Sequence, residues 1–401
     1  VSSRELKARI IEVGASQGFH DIKVASIEPM HEDLATYQAW LDKGYAADMA
    51  YLKRDPARRV HPAMSAPQAR SVLMLKVPYT STCQAPPDDR VWGRVARYAV
   101  GLDYHEIIRA RLERLCEALC ILPASARAAT DDLALYEQAL ARRHGAGFIG
   151  KNSLLIGPKM SGSYHFIAEL FVDLELEPDT EYVGTCGSCF RCGTACPTDA
   201  IVDSGTVDSN LCISYLTIEN KYGIDPALRA RLGDWAFGCD ICQEVCPYNS
   251  QIARLDATSA EQRVWPELRP EAGVGHYLDL LGLIALPDDE SYRRMVGKSP
   301  LRRPKRRGLT RNGLVVLGNW LGGRAASEAD RSRWHEEIVE AIGTYIMQDR
   351  ESMLLEHALW ALAQARERGD DRASDLIAGF DRARLEPDDR DRADSYFRID
   401  R

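Results

Sequence analysis

Eight of the eleven cysteines lie between Cys186 and Cys246, and their spacing limits what this chain can fold around more than any other feature. The first run, Cys186-Gly-Ser-Cys189-Phe-Arg-Cys192-Gly-Thr-Ala-Cys196-Pro197, has the form C-x2-C-x2-C-x3-C-P. In that spacing three thiolates on a tight loop hold one [4Fe–4S] cubane, and the fourth turns away to ligate a second. The second run, Cys239-Asp-Ile-Cys242-Gln-Glu-Val-Cys246-Pro247, ends in the same way but has Ala236 where its first cysteine would fall. Cys212, upstream, is the natural replacement. Ferredoxin logic then gives Cys186, Cys189, Cys192 and Cys246 to one cluster and Cys196, Cys212, Cys239 and Cys242 to the other. Zinc prefers two separated cysteine pairs with four ligands per ion, a pattern these runs do not follow. Two clusters form an electron relay, so something else in the chain must receive electrons.

Such crowding, in a chain whose first residues read as an amphipathic helix rather than a signal peptide, points to metal or redox work rather than disulfides. Apolar runs such as Leu280–Leu286 fall far short of the roughly 20 residues that span a bilayer, so a soluble, cytoplasmic protein is expected. A length of 401 residues suggests two or three domains. The net charge of −8 argues against wholesale nucleic-acid binding, yet Arg293 to Arg311 holds nine Lys or Arg and no acid. The C-terminal stretch swings the other way, around Glu386, Asp388, Asp389 and Asp391.

Up to residue 175, helical patterns (Glu5–Gln17, Glu32–Asp42, Tyr104–Leu122) alternate with strand patterns (Ile22–Ile27, Val72–Val77, Phe166–Val172), which suggests an α/β domain. Cys116 and Cys120 share an apolar helix face with Leu112, Leu115 and Leu119 and read as core. Residues 176–255 carry the cysteine runs. From 256 to 401 the pattern is helical, with Arg311–Leu321, Ala329–Gln348 and Ser352–Arg366 in series, like HEAT-type repeats.

Two motifs are near misses. Gly145-Ala-Gly147-Phe-Ile-Gly150-Lys151 imitates a nucleotide-binding loop, but Ala134–His144 looks helical and Ser153–Ile156 extended, the reverse of the strand–loop–helix order required. Its glycines suit a backbone that approaches something flat and large. Asp103-Tyr-His105-Glu-Ile-Ile108 approaches the D-x-H-x-x-G of cobalamin enzymes that ligate cobalt through histidine, and Ile108 breaks it. Asp103 reads instead as a helix cap, with Glu106 completing a capping box.

The segments Ala96-Arg-Tyr-Ala-Val-Gly-Leu-Asp-Tyr-His105, Gly145-Ala-Gly-Phe-Ile-Gly-Lys-Asn-Ser153 and Cys212-Ile-Ser-Tyr-Leu-Thr-Ile-Glu219, with both cysteine runs and the Arg-rich Pro300–Asn312, resemble the epoxyqueuosine reductase family. The resemblance runs in order over nearly the whole chain. It implies a cobalamin-binding α/β domain (1–175) related to reductive dehalogenases, a ferredoxin-like domain with two [4Fe–4S] clusters (176–255) and a HEAT-like tRNA-binding domain (256–401), an α/β and α+β multidomain protein. It also implies the last step of queuosine synthesis at the tRNA wobble position. Two electrons pass through the clusters to base-off cobalamin, with no protein ligand to cobalt. Loss of an epoxide oxygen as water takes two electrons and two protons, so a cofactor must supply the electrons and a general acid a proton.

By the same resemblance, Ala128-Ala-Thr-Asp131-Asp-Leu-Ala-Leu-Tyr-Glu137 places the acid on Asp131, with Glu137 fixing the register; without the resemblance Asp131 reads as a helix N-cap. Arg54, Tyr98, Asn152 and Ser153 are expected at the corrin, and Ser214 and Asp240 beside the ligands of the second cluster. Lys298, Arg302, Arg303, Lys305, Arg306, Arg307 and Arg311 are expected to grip tRNA phosphates, with Lys221 near the anticodon arm. A monomer and an external electron donor are expected. The alternative is a reductive dehalogenase-like enzyme on a small molecule, which leaves the basic stretch without a purpose.

Overall fold

In the computed structural model of the chain, residues 2–80, 82–158, 161–250, 262–325 and 327–397 are described. The strand Ser71–Pro78 is the most buried of the chain, with Val72, Leu73, Met74, Leu75 and Val77 at most 1% exposed. A strand apolar on both faces must be covered on both, which places it inside a sheet with helices above and below. It pairs with His20–Ala25 on one side and His165–Val172 on the other, and Ala126–Ala129 closes the sheet beyond His165–Val172. All three pairings are antiparallel, so the alternation of helix and strand in the sequence does not produce a parallel sheet. Helix Glu137–Arg143 packs on one face, where Ala139, Leu140 and Ala141 meet Val72, Met74 and Phe171. Helices Ser3–Ser16 and Tyr104–Ala118 pack with each other and with the sheet.

Contacts divide the chain into two compact units, each discontinuous in sequence. The first comprises Val1–Cys83, Gly101–Asn210 and Asp240–Ala272, and contains this sheet; the second comprises Gln84–Val100, Leu211–Cys239 and Gly273–Arg401. Cuts at 175 and 255, expected from the change in pattern, therefore do not coincide with these units. The reason is strand pairing at long range: in the second unit Trp92–Val95 pairs in parallel with Trp235–Phe237 and antiparallel with Tyr277–Asp279.

The rest of the second unit is helical. Helix Lys305–Leu321 starts six residues before the expected Arg311 and is buried from Gly308 to Leu321. A helix enclosed on all sides loses its amphipathic signature. It packs against Glu328–Met347 and Ser352–Arg366, and Gly318 permits the approach: a Cβ there would stand 2.4 Å from the Trp360 ring. Arg229 and Glu356, both fully buried, pair at 2.7 Å, and Glu356 also accepts from Tyr396 Oη at 3.0 Å. Among the described residues no helix is long and apolar enough to cross a membrane.

Helix Tyr104–Ala118 ends earlier than expected, and Leu119 is its cap. Cys116 is buried as expected, but Cys120 is exposed. The chain turns left-handed at Cys120 (φ 57°), which carries its side chain off the helix face.

Candidate functional site

The cysteine loop is tightened by short backbone bonds. Cys189 N–H donates to the Cys186 carbonyl (3.1 Å), Cys196 N–H to Gly193 (3.2 Å) and Cys246 N–H to Gln243 (3.2 Å). Gly187, at φ 53°, supplies the left-handed turn. Helices Arg191–Ala195 and Ile241–Glu244, which carry Cys192 and Cys242, pack together. Cys186, Cys189, Cys192 and Cys246 line one cavity of about 280 Å³, with Lys151, Asn152, Ile156, Arg191, Pro247 and Tyr248. These are the four thiols assigned to the first cluster, three from one loop and one from the remote Cys-Pro. Among the described residues no three His, Cys, Asp or Glu side chains converge on a point fit for a single ion. Four thiols standing round a cavity suit a cubane instead. Burial pushes the thiols of Cys192 and Cys246 up, so their ligation to iron releases protons.

Of the second set, Cys196 and Cys242 belong to the first unit, and Cys212 and Cys239 to the second. Cys212 precedes helix Ile213–Ile218 as its cap. In that helix Thr217 Oγ1 accepts from Gly238 N–H at 2.9 Å, which ties the Cys212 helix to the turn before Cys239.

Asp131 lies just beyond strand Ala126–Ala129 with φ 55°, a conformation costly for a residue with a Cβ. Its N–H donates to Glu137 Oε1 at 3.0 Å, and its carboxylate accepts from Tyr104 Oη at 2.8 Å. The Tyr104 ring is stacked on Phe166, with centroids 4.2 Å apart. Asp131 is not a helix cap: the next helix opens at Glu137, behind Tyr136. The neighbouring Asp132 is occupied differently, pairing with Arg109 at 2.6 Å and accepting from Thr130 N–H at 3.2 Å. Both aspartates are exposed, but Asp132 is committed to a cation and Asp131 to a phenol. Asp103 caps its helix, but through His105 N–H at 3.1 Å rather than in the capping box expected with Glu106, and it also pairs with His105 Nδ1 at 2.7 Å. Against the lowering by burial, that pairing raises His105.

The glycine-rich segment follows a helix and precedes a hairpin, Phe148–Ile149 against Leu155–Ile156. Its glycines answer to the chain itself rather than to a flat ligand. A Cβ at Gly147 would lie 2.3 Å from the Ile156 carbonyl oxygen, and one at Gly145 2.6 Å from that of Thr180. In the turn, Asn152 is buried with no partner for Nδ2 and lines the four-cysteine cavity. Ser153, at φ 63°, opens instead on a groove of about 690 Å³ lined by Tyr37, Trp40, Tyr136 and Thr206. Arg54 is exposed in the first unit, after the short helix Ala50–Lys53. Asp240, also in the first unit, is buried and accepts from Gln243 Nε2 at 2.9 Å. Tyr98, near Phe237, and half-buried Ser214 belong to the second unit.

The basic stretch is less bare than its sequence. Arg303 pairs with Glu219 (2.8 Å), Arg306 with Asp289 (2.7 Å), and Arg307 with Glu351 and the Lys221 carbonyl. Arg311 is corrected outright: it is fully buried, donating to the carbonyls of Leu216 (2.6 Å), Asn220 (2.8 Å) and Tyr222. A guanidinium spent on carbonyls in the interior cannot grip phosphate. Lys221, Lys298, Arg302 and Lys305 remain exposed.

Two family models match the chain: a 4Fe-4S double cluster binding domain over residues 185–249, and epoxyqueuosine reductase QueG, DUF1730, over residues 59–132. The epoxyqueuosine reductase of Xanthomonas campestris pv. campestris is 34% identical over 367 residues, covering 89% of this chain and 95% of that protein. That of Pseudomonas aeruginosa is 37% identical over 323 residues, 78% of this chain and 85% of that protein. The chain belongs to the epoxyqueuosine reductase family. It is thus an oxidoreductase with a double [4Fe–4S]-cluster domain. Solved epoxyqueuosine reductases share its fold. One, with an epoxyqueuosine-modified stem loop of tRNA-Tyr, superposes with a TM-score of 0.83 at 24% identity over 98% of both chains. That of Bacillus subtilis, captured with a catalytic loop swung out of the active site, gives 0.81 at 23% identity over 99% of this chain and all of its own.

Two residues of the acid site were missed in the sequence. Nothing local marks Tyr104 as a partner of Asp131, whereas Glu169 is conspicuous as an acid in the otherwise apolar run Phe166–Val172.

Proposed function

We propose that this epoxyqueuosine reductase reduces epoxyqueuosine to queuosine at the wobble position of tRNA, with Asp131 as the general acid that releases the epoxide oxygen as water. The observation that carries the reading is the state of Asp131: an exposed carboxyl in a costly backbone conformation, fixed by Glu137 and aimed by Tyr104. Strain of this kind persists where surrounding structure holds it for a purpose.

Two [4Fe–4S] clusters and cobalamin, when bound, supply the two electrons that no side chain can provide. Cys186, Cys189, Cys192 and Cys246 would hold the first cluster, and Cys196, Cys212, Cys239 and Cys242 the second. The groove beside Ser153 fits a corrin: Tyr37, Trp40 and Tyr136 offer flat apolar surface, and Ser153 and Thr206 offer hydroxyls to peripheral amides. Arg54 and Tyr98 would contact the corrin, and Ser214 and Asp240 would neighbour the second cluster. Asn152, which lines the four-cysteine cavity, is better placed for the first cluster than for the corrin.

What the chain itself does is hold and move protons. The carboxyl of Asp131 delivers one to the departing oxygen and recovers it from solvent, which also supplies the second proton of the water released. Residues 1–175 are the cobalamin-binding segment, 176–255 the ferredoxin-like one, and 256–401 the HEAT-like tRNA-binding one, in which Lys298, Arg302, Arg303, Lys305, Arg306 and Arg307, with Lys221, meet phosphates. The stem loop held by a relative of the same fold supports the substrate class. Incubating epoxyqueuosine-containing tRNA with reduced, cobalamin-loaded protein tests this. Mass spectrometry of the nucleosides should show queuosine, and epoxyqueuosine left intact sinks the reading.

A further inference from the structure

Glu169 sits mid-strand in His165–Val172, opposite Met74 on one neighbour and Ala129 on the other, two residues before Asp131. Residues directly opposite in an antiparallel pair share a face. Glu169 therefore lies on the face of Met74, under helix Glu137–Arg143 and among the apolar side chains that helix covers. It is fully buried, and neither carboxyl oxygen has a hydrogen-bond partner outside its own residue. An ionised carboxylate cannot persist there without a cation or donors.

The groups that act on Glu169 are the carboxyls of Glu137, Asp131 and Asp132, in that order. Those that act on Glu137 are Asp131 and Asp132, opposed by Arg59 and by the N–H of Asp131. Burial drives both glutamates well above the usual carboxylate range. Two such acids side by side do not both ionise. Glu137 accepts the Asp131 N–H and feels the charge of Arg59, whereas Glu169 has neither, so of the two it is Glu169 that holds the proton.

We propose that Glu169 is a positioning residue for the general acid: it stores a proton behind the 130–137 loop, leaving Glu137 as the single negative charge that anchors the Asp131 N–H and opposes ionisation of the Asp131 carboxyl. The inference rests on the reading of Asp131 as the acid. It explains an acid in an apolar strand, and why the loop register needs a glutamate six residues on. The device sets the pH at which the acid fails, because the anion at Glu137 keeps the Asp131 proton in place.

Infrared spectroscopy of the cluster-loaded protein reads the store directly. At neutral pH the wild type should show the C=O stretch of a buried protonated carboxylic acid, and Glu169→Gln should remove it. An absent band, or one that survives the substitution, overturns the proposal. Turnover against pH gives the second readout. Glu137→Gln should move the alkaline limb down by about one pH unit, a roughly tenfold loss above the limb. Glu169→Gln, which mimics the permanently protonated acid, should leave the limb in place. A uniform loss in Glu137→Gln with the limb unmoved, or a limb shifted equally by both variants, also overturns it. Failure of the underlying reading has a different signature, full turnover in Asp131→Asn. Should Glu137→Gln fail to fold, the band in Glu169→Gln decides alone.

Discussion

The Tyr104 hydroxyl donates to Asp131 across 2.8 Å while the Tyr104 ring lies nearly parallel to Phe166, at 14°. A phenol clamped by its ring has little freedom at its tip, so the carboxyl it meets is aimed as well as bonded. Tyr104→Phe keeps the stack and deletes the bond. Turnover should fall by about tenfold with cluster absorbance unaltered. An unchanged rate would show that the bond aims nothing.

Asp131→Asn removes the proton and keeps the shape. Conversion of epoxyqueuosine should drop by about a hundredfold or more. Asp132→Asn, which releases Arg109 and removes a charge from beside Glu137, should cost far less. Equal losses in the two variants would mean that the acid has been assigned one residue too early or too late.

Cys246 completes a cavity whose other three thiols come from one loop. Cys246→Ser should therefore lower iron by about half, because the second cluster keeps its own four ligands. Iron and sulfide analysis of the purified variant reads this, and full iron content would break the ligand set.

In the basic stretch, exposure separates two outcomes. Lys298→Glu with Arg302→Glu should weaken tRNA binding and flatten its dependence on salt, by about one unit of slope for each phosphate left without its cation. Arg311→Ala should instead unfold the second unit more readily, by about 3 kcal/mol, since three carbonyls lose their buried donor. A salt slope unmoved by the double reversal would detach this surface from RNA.

Acid should weaken the second unit through His357. Its Nε2 accepts from Ile224 N–H at 3.1 Å, which requires the neutral ring, and burial holds it down to about 4. The unfolded chain takes up that proton near 6.5, so stability is full above that value and falls as the pH drops from about 6.5 to about 4. Burial would raise Glu356, but His357 and Arg229 hold it down to about 2, which extends the loss into stronger acid. At neutral pH the counter-charge is Arg229, because His357 is then uncharged. Urea midpoints measured across this range should slope in the wild type and flatten between about 6.5 and about 4 in His357→Gln. Glu356→Gln should cost about 3–5 kcal/mol at neutral pH by leaving Arg229 buried and unpaired.

Local features of this fold were legible where they depend on spacing. The four thiols of one cavity, the reversed order around the glycines and the cap at Asp103 all follow from residues close in sequence. Arg311 was misread because a run of like charge carries no sign of which member the fold turns inward. Cys120 was misread because one left-handed residue breaks a helical period without changing it upstream. Glu169 stands out locally as an acid in an apolar run, but its place opposite Ala129, two residues from Asp131, is set by register across the sheet, which is not written in a local pattern.

The interleaving of the two units has a consequence for biosynthesis. The thiols at Cys186, Cys189 and Cys192 leave the ribosome 54 to 60 residues before Cys246, and the first unit needs segments as far as Ala272. Iron offered to the nascent chain would meet an unfinished nest. The nest of the first cluster is therefore complete only once the chain has emerged at least as far as Cys246, and its unit only as far as Ala272.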